Sequence, residues 1–294
     1  MVINLINTLK FILNHPLNRN RKVKSFLTFL KWQISSRITR LPAIINYGEK
    51  SKLIIKKGMT GATQNYYCGL HEFNDMGFLL HFLRDQDLFI DIGANVGSYT
   101  ILAANEVGAD TISFEPIPET FEVLNRNIRL NDIKGKVKTY CVGLGAKEDV
   151  LKFTNSQDTL NHVAIDNNKE TTEVPIKRLD EIVEIKHPTL TKIDVEGFES
   201  EVLKGMKLAL ENSNLKAMII ELNGVSKRYG KLDDETHKKL LSFGFNPFQY
   251  NPLLRELKRI KTYGSHNTIY IKDYDFVNQR ISTSQKIRIN NISF

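Results

Sequence analysis

The chain predicts an α/β fold of the Rossmann-like, nucleotide-binding kind, and three observations carry that reading. From Leu88 onward, short apolar runs of strand length alternate with segments whose apolar residues recur at helical spacing. The first run, LFIDIGANVG over residues 88–97, ends in two glycines spaced G-x-x-x-G and leads directly into a helical pattern. Later runs close on carboxylates, at Glu115, Asp194 and Glu221, and the carboxyl ends of strands are where open sheets of this type bind ligands.

At 294 residues with 41% hydrophobic side chains, the chain can bury one sizeable core carrying an extension, rather than two equal domains. Two cysteines, Cys68 and Cys141, make neither a disulfide framework nor a metal-type C-x-x-C, which reads as intracellular and cytoplasmic. Residues 1–42 form a basic amphipathic helical extension. They hold eight Lys or Arg and no Asp or Glu, while the remainder balances at 33 against 33, so this segment carries the whole formal charge of +8. Its apolar residues, from Ile3 to Leu13 and from Phe26 to Trp32, suit two short helices broken at Pro16. Such helices can pack on the main domain with solvated lysines outside. They can also dock on an anionic membrane at its inner face, with Trp32 at the interface. No run of 18 apolar residues exists, and Asn4 and Asn7 interrupt the first apolar stretch, so neither a membrane span nor a signal peptide is expected. No nucleic-acid partner is expected, because no aromatic and basic interleaving of an RNA module is present.

Residues 43–86 read as a linker and cap region, with a strand over Lys52 to Lys56, a turn at Gly58 to Gly61 and a helix over Met76 to Leu83. The stretch YYCGLHEFND, residues 66–75, brings His71 and Glu72 immediately upstream of the first strand and is placed to close over a substrate. The main domain spans 87–275. It continues with a helix from Ser98 to Val107 stopped at Gly108, a strand at Thr111 to Glu115, and a helix opened by Pro118 and striped with Phe121, Leu124 and Ile128. A strand at Val137 to Cys141 precedes Gly143 and Gly145, and a variable segment runs from Val150 to Leu179, with TNSQDTLNH as loop. Strands at Leu190 to Val195, Ala217 to Leu222 and Thr268 to Ile271 alternate with helices at Gly197 to Met206 and Asp233 to Phe243, and 276–294 reads as a C-terminal tail.

The bound nucleotide follows from what the glycine turn lacks. Ala94, Asn95 and Val96 stand where a dinucleotide fingerprint needs its middle glycine against the pyrophosphate. Asp91, two residues before Gly93, would repel phosphate but can accept from the ammonium of an amino acid. S-adenosylmethionine has that ammonium and no phosphate. Glu115, 18 residues beyond Gly97, is placed to accept both ribose hydroxyls.

Buried carboxylates at strand ends cost several kcal/mol unless paired or used. Asp194 and Glu196 in IDVEG, and Glu221 and Asn223 in IIELNG, therefore point to chemistry. They can orient or deprotonate a hydroxyl, or Asp194, Glu221 and Asn223 can offer the oxygen ligands that magnesium prefers.

The segments FIDIGANVGSYTILAA, ISFEPIPETFEVLNRNIRLN, VGLGAKE, RLDEIV, LTKIDVEGFESEVLKGM and IIELN occur in that order, and together they resemble the FkbM-type S-adenosylmethionine-dependent methyltransferases over residues 65–225. The resemblance implies a class I methyltransferase fold, a seven-stranded, mainly parallel sheet with helices on both faces and an antiparallel last strand. It also implies O-methylation of a sugar hydroxyl in a bacterial glycan, or of a secondary metabolite. Cofactor contacts carry over to Asp91, Gly93, Asn95, Gly97, Glu115 and Gly143. The catalytic candidates are Asp194, Glu196, His162 and Glu221, with His71 and Glu72 behind them. His162 enters because an unperturbed imidazole is half deprotonated near neutrality. A nonenzymatic nucleotide-binding module and a nicotinamide-dependent oxidoreductase are the competing readings.

Overall fold

A computed structural model describes residues 2–154, 162–164, 170–182 and 187–294. The extension forms two helices, α1 (Val2–Asn14) and α2 (Lys22–Ile38), joined by a tight turn at Pro16–Asn18. Next come a hairpin of β1 (Ala43–Tyr47) and β2 (Ser51–Ile55), then helices α3 (Thr60–Cys68) and α4 (Phe73–Phe82). The extension is tied to α3 by polar and aromatic contacts. Asn18 Nδ2 donates to the carbonyls of Ile12 and Tyr67, Phe29 packs on Tyr67, and Trp32 packs edge-on against Tyr66. Trp32 is only 7% exposed, so it belongs to the core and cannot be the interfacial anchor that its aromatic, amphipathic character suggested. Among the described residues, no helix is long and apolar enough to cross a membrane.

The main sheet begins with β3 (Leu88–Ile92), followed by α5 (Ser98–Ile101), which runs on to Val107 with a wider turn, then β4 (Asp110–Phe114), α6 (Pro118–Leu130) and β5 (Val137–Tyr140). A small sheet of β6 (Gly143–Leu144), β7 (Asp149–Thr154) and β8 (Thr171–Lys177) comes next. It gives structure to the variable segment. Residues 155–161, most of TNSQDTLNH, lie outside the described residues. The chain then returns through β9 (Leu190–Ile193), α7 (Glu199–Gly205), α8 (Lys207–Glu211), β10 (Ala217–Glu221), α9 (Asp233–Ser242), β11 (Asn246–Asn251), β12 (Glu256–Arg259), β13 (Asn267–Ile271) and α10 (Tyr274–Thr283).

The strand order is β12-β11-β13-β10-β9-β3-β4-β5, parallel from β10 to β5, with β13 antiparallel to both its neighbours. The chain proceeds outward from β3 on one side and from β9 on the other, so a crevice opens between β3 and β9. Alternate side chains feed two cores. Phe89, Ala217 and Ile219 face one, while Ile90, Ile92, Met218 and Ile220 face the other.

Two expectations are corrected. The sheet has eight strands rather than seven, because the chain after β11 turns back as β12, whose Glu256, Lys258 and Arg259 give the free edge the charge that discourages further pairing. Pro247 inside β11 hid that strand, since proline cannot donate to a ladder and argues against a strand in sequence. Residues 276–294 are not a free tail either. Asp273 caps α10 by accepting from the Phe276 N–H, Val277 and Ile281 are fully buried, and Phe294 packs on Phe73.

Candidate active site

A cavity of about 310 Å³ opens at the crevice, with the ends of β3 and β4 on one side and those of β9 and β10 on the other. Asp91, the penultimate residue of β3, lines it although its side chain is almost wholly buried. Its Oδ2 accepts from the Thr100 hydroxyl at 2.6 Å, while Oδ1 has no partner among the described residues. Burial pushes this carboxyl above its usual range, against the pull of Lys192 and Thr100. A buried acceptor left unmatched costs about 1–3 kcal/mol, so an oxygen of this kind beside a cavity calls for a donor on a ligand.

The turn after β3 brings the two sides into contact. Gly93 has φ +78°, and a Cβ there would lie 1.8 Å from the backbone oxygen of Asp194. Only glycine permits that approach. Asn95 also takes a positive φ, +50°, and its N–H donates to Glu115 Oε2 at 2.9 Å, while Glu115 Oε1 accepts from the Ile117 N–H at 3.0 Å. Burial raises the Glu115 carboxyl to about 7, although these two N–H groups oppose the rise. Each of its oxygens keeps a further lone pair, which is what a vicinal diol requires. Gly143 lies on the wall beside Val142, Leu144, Phe114 and Ile117, an apolar surface suited to a flat ring. Gly97 does not line the cavity. A Cβ there would meet Leu124 at 2.6 Å, so this glycine seats α5 against α6 and acts through packing rather than contact.

The opposite side is built from charge. Asp194, Glu196 and Glu221 each offer an oxygen, and these atoms lie within 4.8 Å of one another. Buried Lys192 donates to Asp194 Oδ2 at 2.7 Å and sits 4.8 Å above the Tyr99 ring. Burial alone would lower the Lys192 ammonium, but Asp194, Glu72 and Asp91 together hold it above its ordinary value. Burial and the charge of Asp194 raise Glu196 to about 7. Burial, Asp194 and Glu196 raise Glu221 to about 9. The Tyr99 hydroxyl donates to Glu72 Oε2 at 2.8 Å, and the His71 ring contacts Asn65 Oδ1 at 3.1 Å. His71 and Glu72 both line the cavity, so the YYCGLHEFND stretch does reach it.

Two expected participants stand elsewhere. Asn223 is not among the residues lining the cavity; it is exposed, and its Oδ1 accepts from the Val225 N–H. His162 is not among the residues lining the cavity. Its backbone pairs with Thr154, N–H to Oγ1 at 3.1 Å and carbonyl to N–H at 2.9 Å. Two participants were missed, Lys192 and Tyr99. A lysine inside the apolar run LTKID, two residues before Asp194 and hence on the same strand face, was the signal available for Lys192.

Residues 91–247 match the family described as Methyltransferase FkbM domain. The hexuronic acid methyltransferase AglP of Haloferax volcanii is 32% identical over 171 residues, covering 56% of this chain and 65% of that protein. Methyltransferase 1 of Beauveria bassiana is 33% identical over 148 residues, covering 42% and 59%. The chain thus spans less than two thirds of the length of either relative. Among solved structures, an rRNA methylase from Streptococcus thermophilus superposes with a TM-score of 0.41 at 13% identity, covering 67% of this chain and 93% of that one.

Proposed function

We propose that this chain, which belongs to the FkbM methyltransferase family, transfers a methyl group from S-adenosylmethionine to a hydroxyl oxygen of a sugar or a small metabolite. The observation that carries the reading is Asp91 Oδ1, a buried and unpartnered carboxylate oxygen beside a cavity whose other wall is an acidic cluster. Asp91 would accept from the ammonium of the cofactor, Glu115 from its ribose diol, and the apolar wall at Gly143 would take the adenine. When bound, the cofactor supplies a methyl made electrophilic by its sulfonium. The protein must then hold an acceptor oxygen in line and receive its proton.

Asp194 is suited to that task, because Lys192 fixes one of its oxygens and leaves the other for the acceptor O–H. Glu221, raised to about 9, keeps its proton at neutral pH and can donate a hydrogen bond to the acceptor. The name of the Haloferax volcanii relative supports a sugar as the acceptor class. A second reading rests on the oxygen cluster. A magnesium ion held by Asp194, Glu196 and Glu221 would polarise the acceptor instead, after displacing the protons that burial keeps on the two glutamates.

Calorimetry with S-adenosylmethionine, its demethylated product and NAD tests the cofactor. Binding of the first two alone is expected, and binding of NAD alone would overturn the proposal in favour of an oxidoreductase. Transfer of labelled methyl to a sugar acceptor then separates an enzyme from a nonenzymatic binding module.

A further inference from the structure

Helix α2 buries one face against the protein and leaves an apolar stripe exposed on the opposite face. Ser25, Phe29, Trp32 and Ser36, at spacings of four, three and four, are buried against the protein. Val23, Leu27, Leu30, Ile34 and Ile38, at spacings of four, three, four and four, are between 38% and 75% exposed, and Leu41 follows at 68% just past the helix end. With 100° per residue, the second set falls within a sector of roughly 80°. Lys24 and Lys31 project from one edge of that sector and Arg37 from the other, all three exposed. No acidic residue occurs anywhere in residues 1–42.

We propose that this face of α2 docks on an anionic lipid surface, with Val23, Leu27, Leu30, Ile34 and Ile38 entering the acyl boundary and Lys24, Lys31 and Arg37 meeting the headgroups. An apolar stripe edged by long cations matches the layering of a bilayer interface, because lysine and arginine stems lie along apolar surface while their charges stay in the headgroup layer. A second copy of the chain is disfavoured as the occupant. Two such faces would set Lys24, Lys31 and Arg37 of one copy near those of the other, with no carboxylate on the segment to pair them. The buried face of the same helix packs on Tyr66 and Tyr67 of α3, and Thr60, Gly61, Ala62 and Gln64 of α3 line the cavity. Docking therefore puts the cavity's cap one helix layer from the membrane.

The test is co-sedimentation of the full chain with phosphatidylcholine vesicles, with and without phosphatidylglycerol. The chain should sediment with the anionic vesicles and stay in solution with the neutral ones. Lys24→Gln and Lys31→Gln should each weaken that partition about fivefold. Leu27→Asp with Ile34→Asp should abolish it while an unchanged thermal transition reports an intact fold. Failure of the wild-type chain to bind anionic vesicles, or equal binding by wild type and all variants, would overturn the proposal. A concentration-dependent dimer in sedimentation velocity, lost in the Leu27→Asp and Ile34→Asp variant, would overturn it in favour of self-association.

Discussion

The two walls of the cavity are built on different principles. Around β3 and β4, backbone groups do most of the positioning. Gly93 presses against the Asp194 oxygen, the N–H groups of Asn95 and Ile117 hold Glu115, and Thr100 holds Asp91. Around β9 and β10, position comes from mutual charge. Lys192 pairs with Asp194, which crowds with Glu196 just after β9 and with Glu221 at the end of β10, and burial with these charges lifts Glu196 to about 7 and Glu221 to about 9. A site made of backbone is rigid and suits a constant ligand, such as a cofactor. A site made of interacting charges can respond to the proton it must receive, which suits an acceptor.

The strongest way to separate the two walls is Asp194→Asn, which keeps shape and removes charge. Turnover should fall by about 10² or more while calorimetric cofactor affinity holds, as expected for a group acting mainly in the transition state. Full activity in this variant would take Asp194 out of the chemistry. In the same assay, turnover of the wild type that survives a chelator would leave proton transfer or orientation as its role, whereas loss restored by magnesium would favour the metal.

Glu115→Ala probes the other wall. It should weaken cofactor binding by roughly 1.5–3 kcal/mol, the worth of hydrogen bonds to a charged group, and leave turnover at saturating cofactor nearly intact. An unchanged dissociation constant would contradict the diol assignment.

A third expectation concerns pH and stability. Glu115 and Glu196, at about 7, and Glu221, at about 9, hold protons in the folded state that the unfolded chain releases near 4.5. Their contribution is fully present below that value and is lost as pH rises toward 9. The melting temperature of the ligand-free protein should therefore drop across this range, and Glu221→Gln should flatten the drop. A melting temperature that rises over the same interval would show that the acidic wall is not protonated as described.

The smallest effect is expected at His162. Because the described structure keeps it off the cavity wall, His162→Ala should change the activation free energy by no more than about 0.5 kcal/mol, the scale of substitutions away from a site. A loss approaching that of Asp194→Asn would bring it back as the base.

The sequence by itself determined the strand-and-turn wall of the cavity at β3 and β4 and the alternation of strands and helices from β3 to β5 and from β9 to β10, but not the small sheet of β6, β7 and β8 between them. Asp91, Gly93 and Asn95 are neighbours in one strand and turn, and Glu115 closes the next strand, so local rules of strand, turn and helix were enough to find them. Tertiary structure alone decided the rest. Lys192 is defined by three carboxylates from different elements and by the Tyr99 ring, and no local pattern encodes their meeting. Gly97 and Asn223 look like ligand residues in their motifs, but neither lines the cavity, and the Leu124 side chain that packs against Gly97 becomes visible only in space. In α2, an aliphatic stripe and a face of two aromatics and two serines run along opposite sides of one helix, and the more apolar of them is the exposed one. Which of them is buried depends on where α3 lies, because burial is a property of the packed pair and not of the helix.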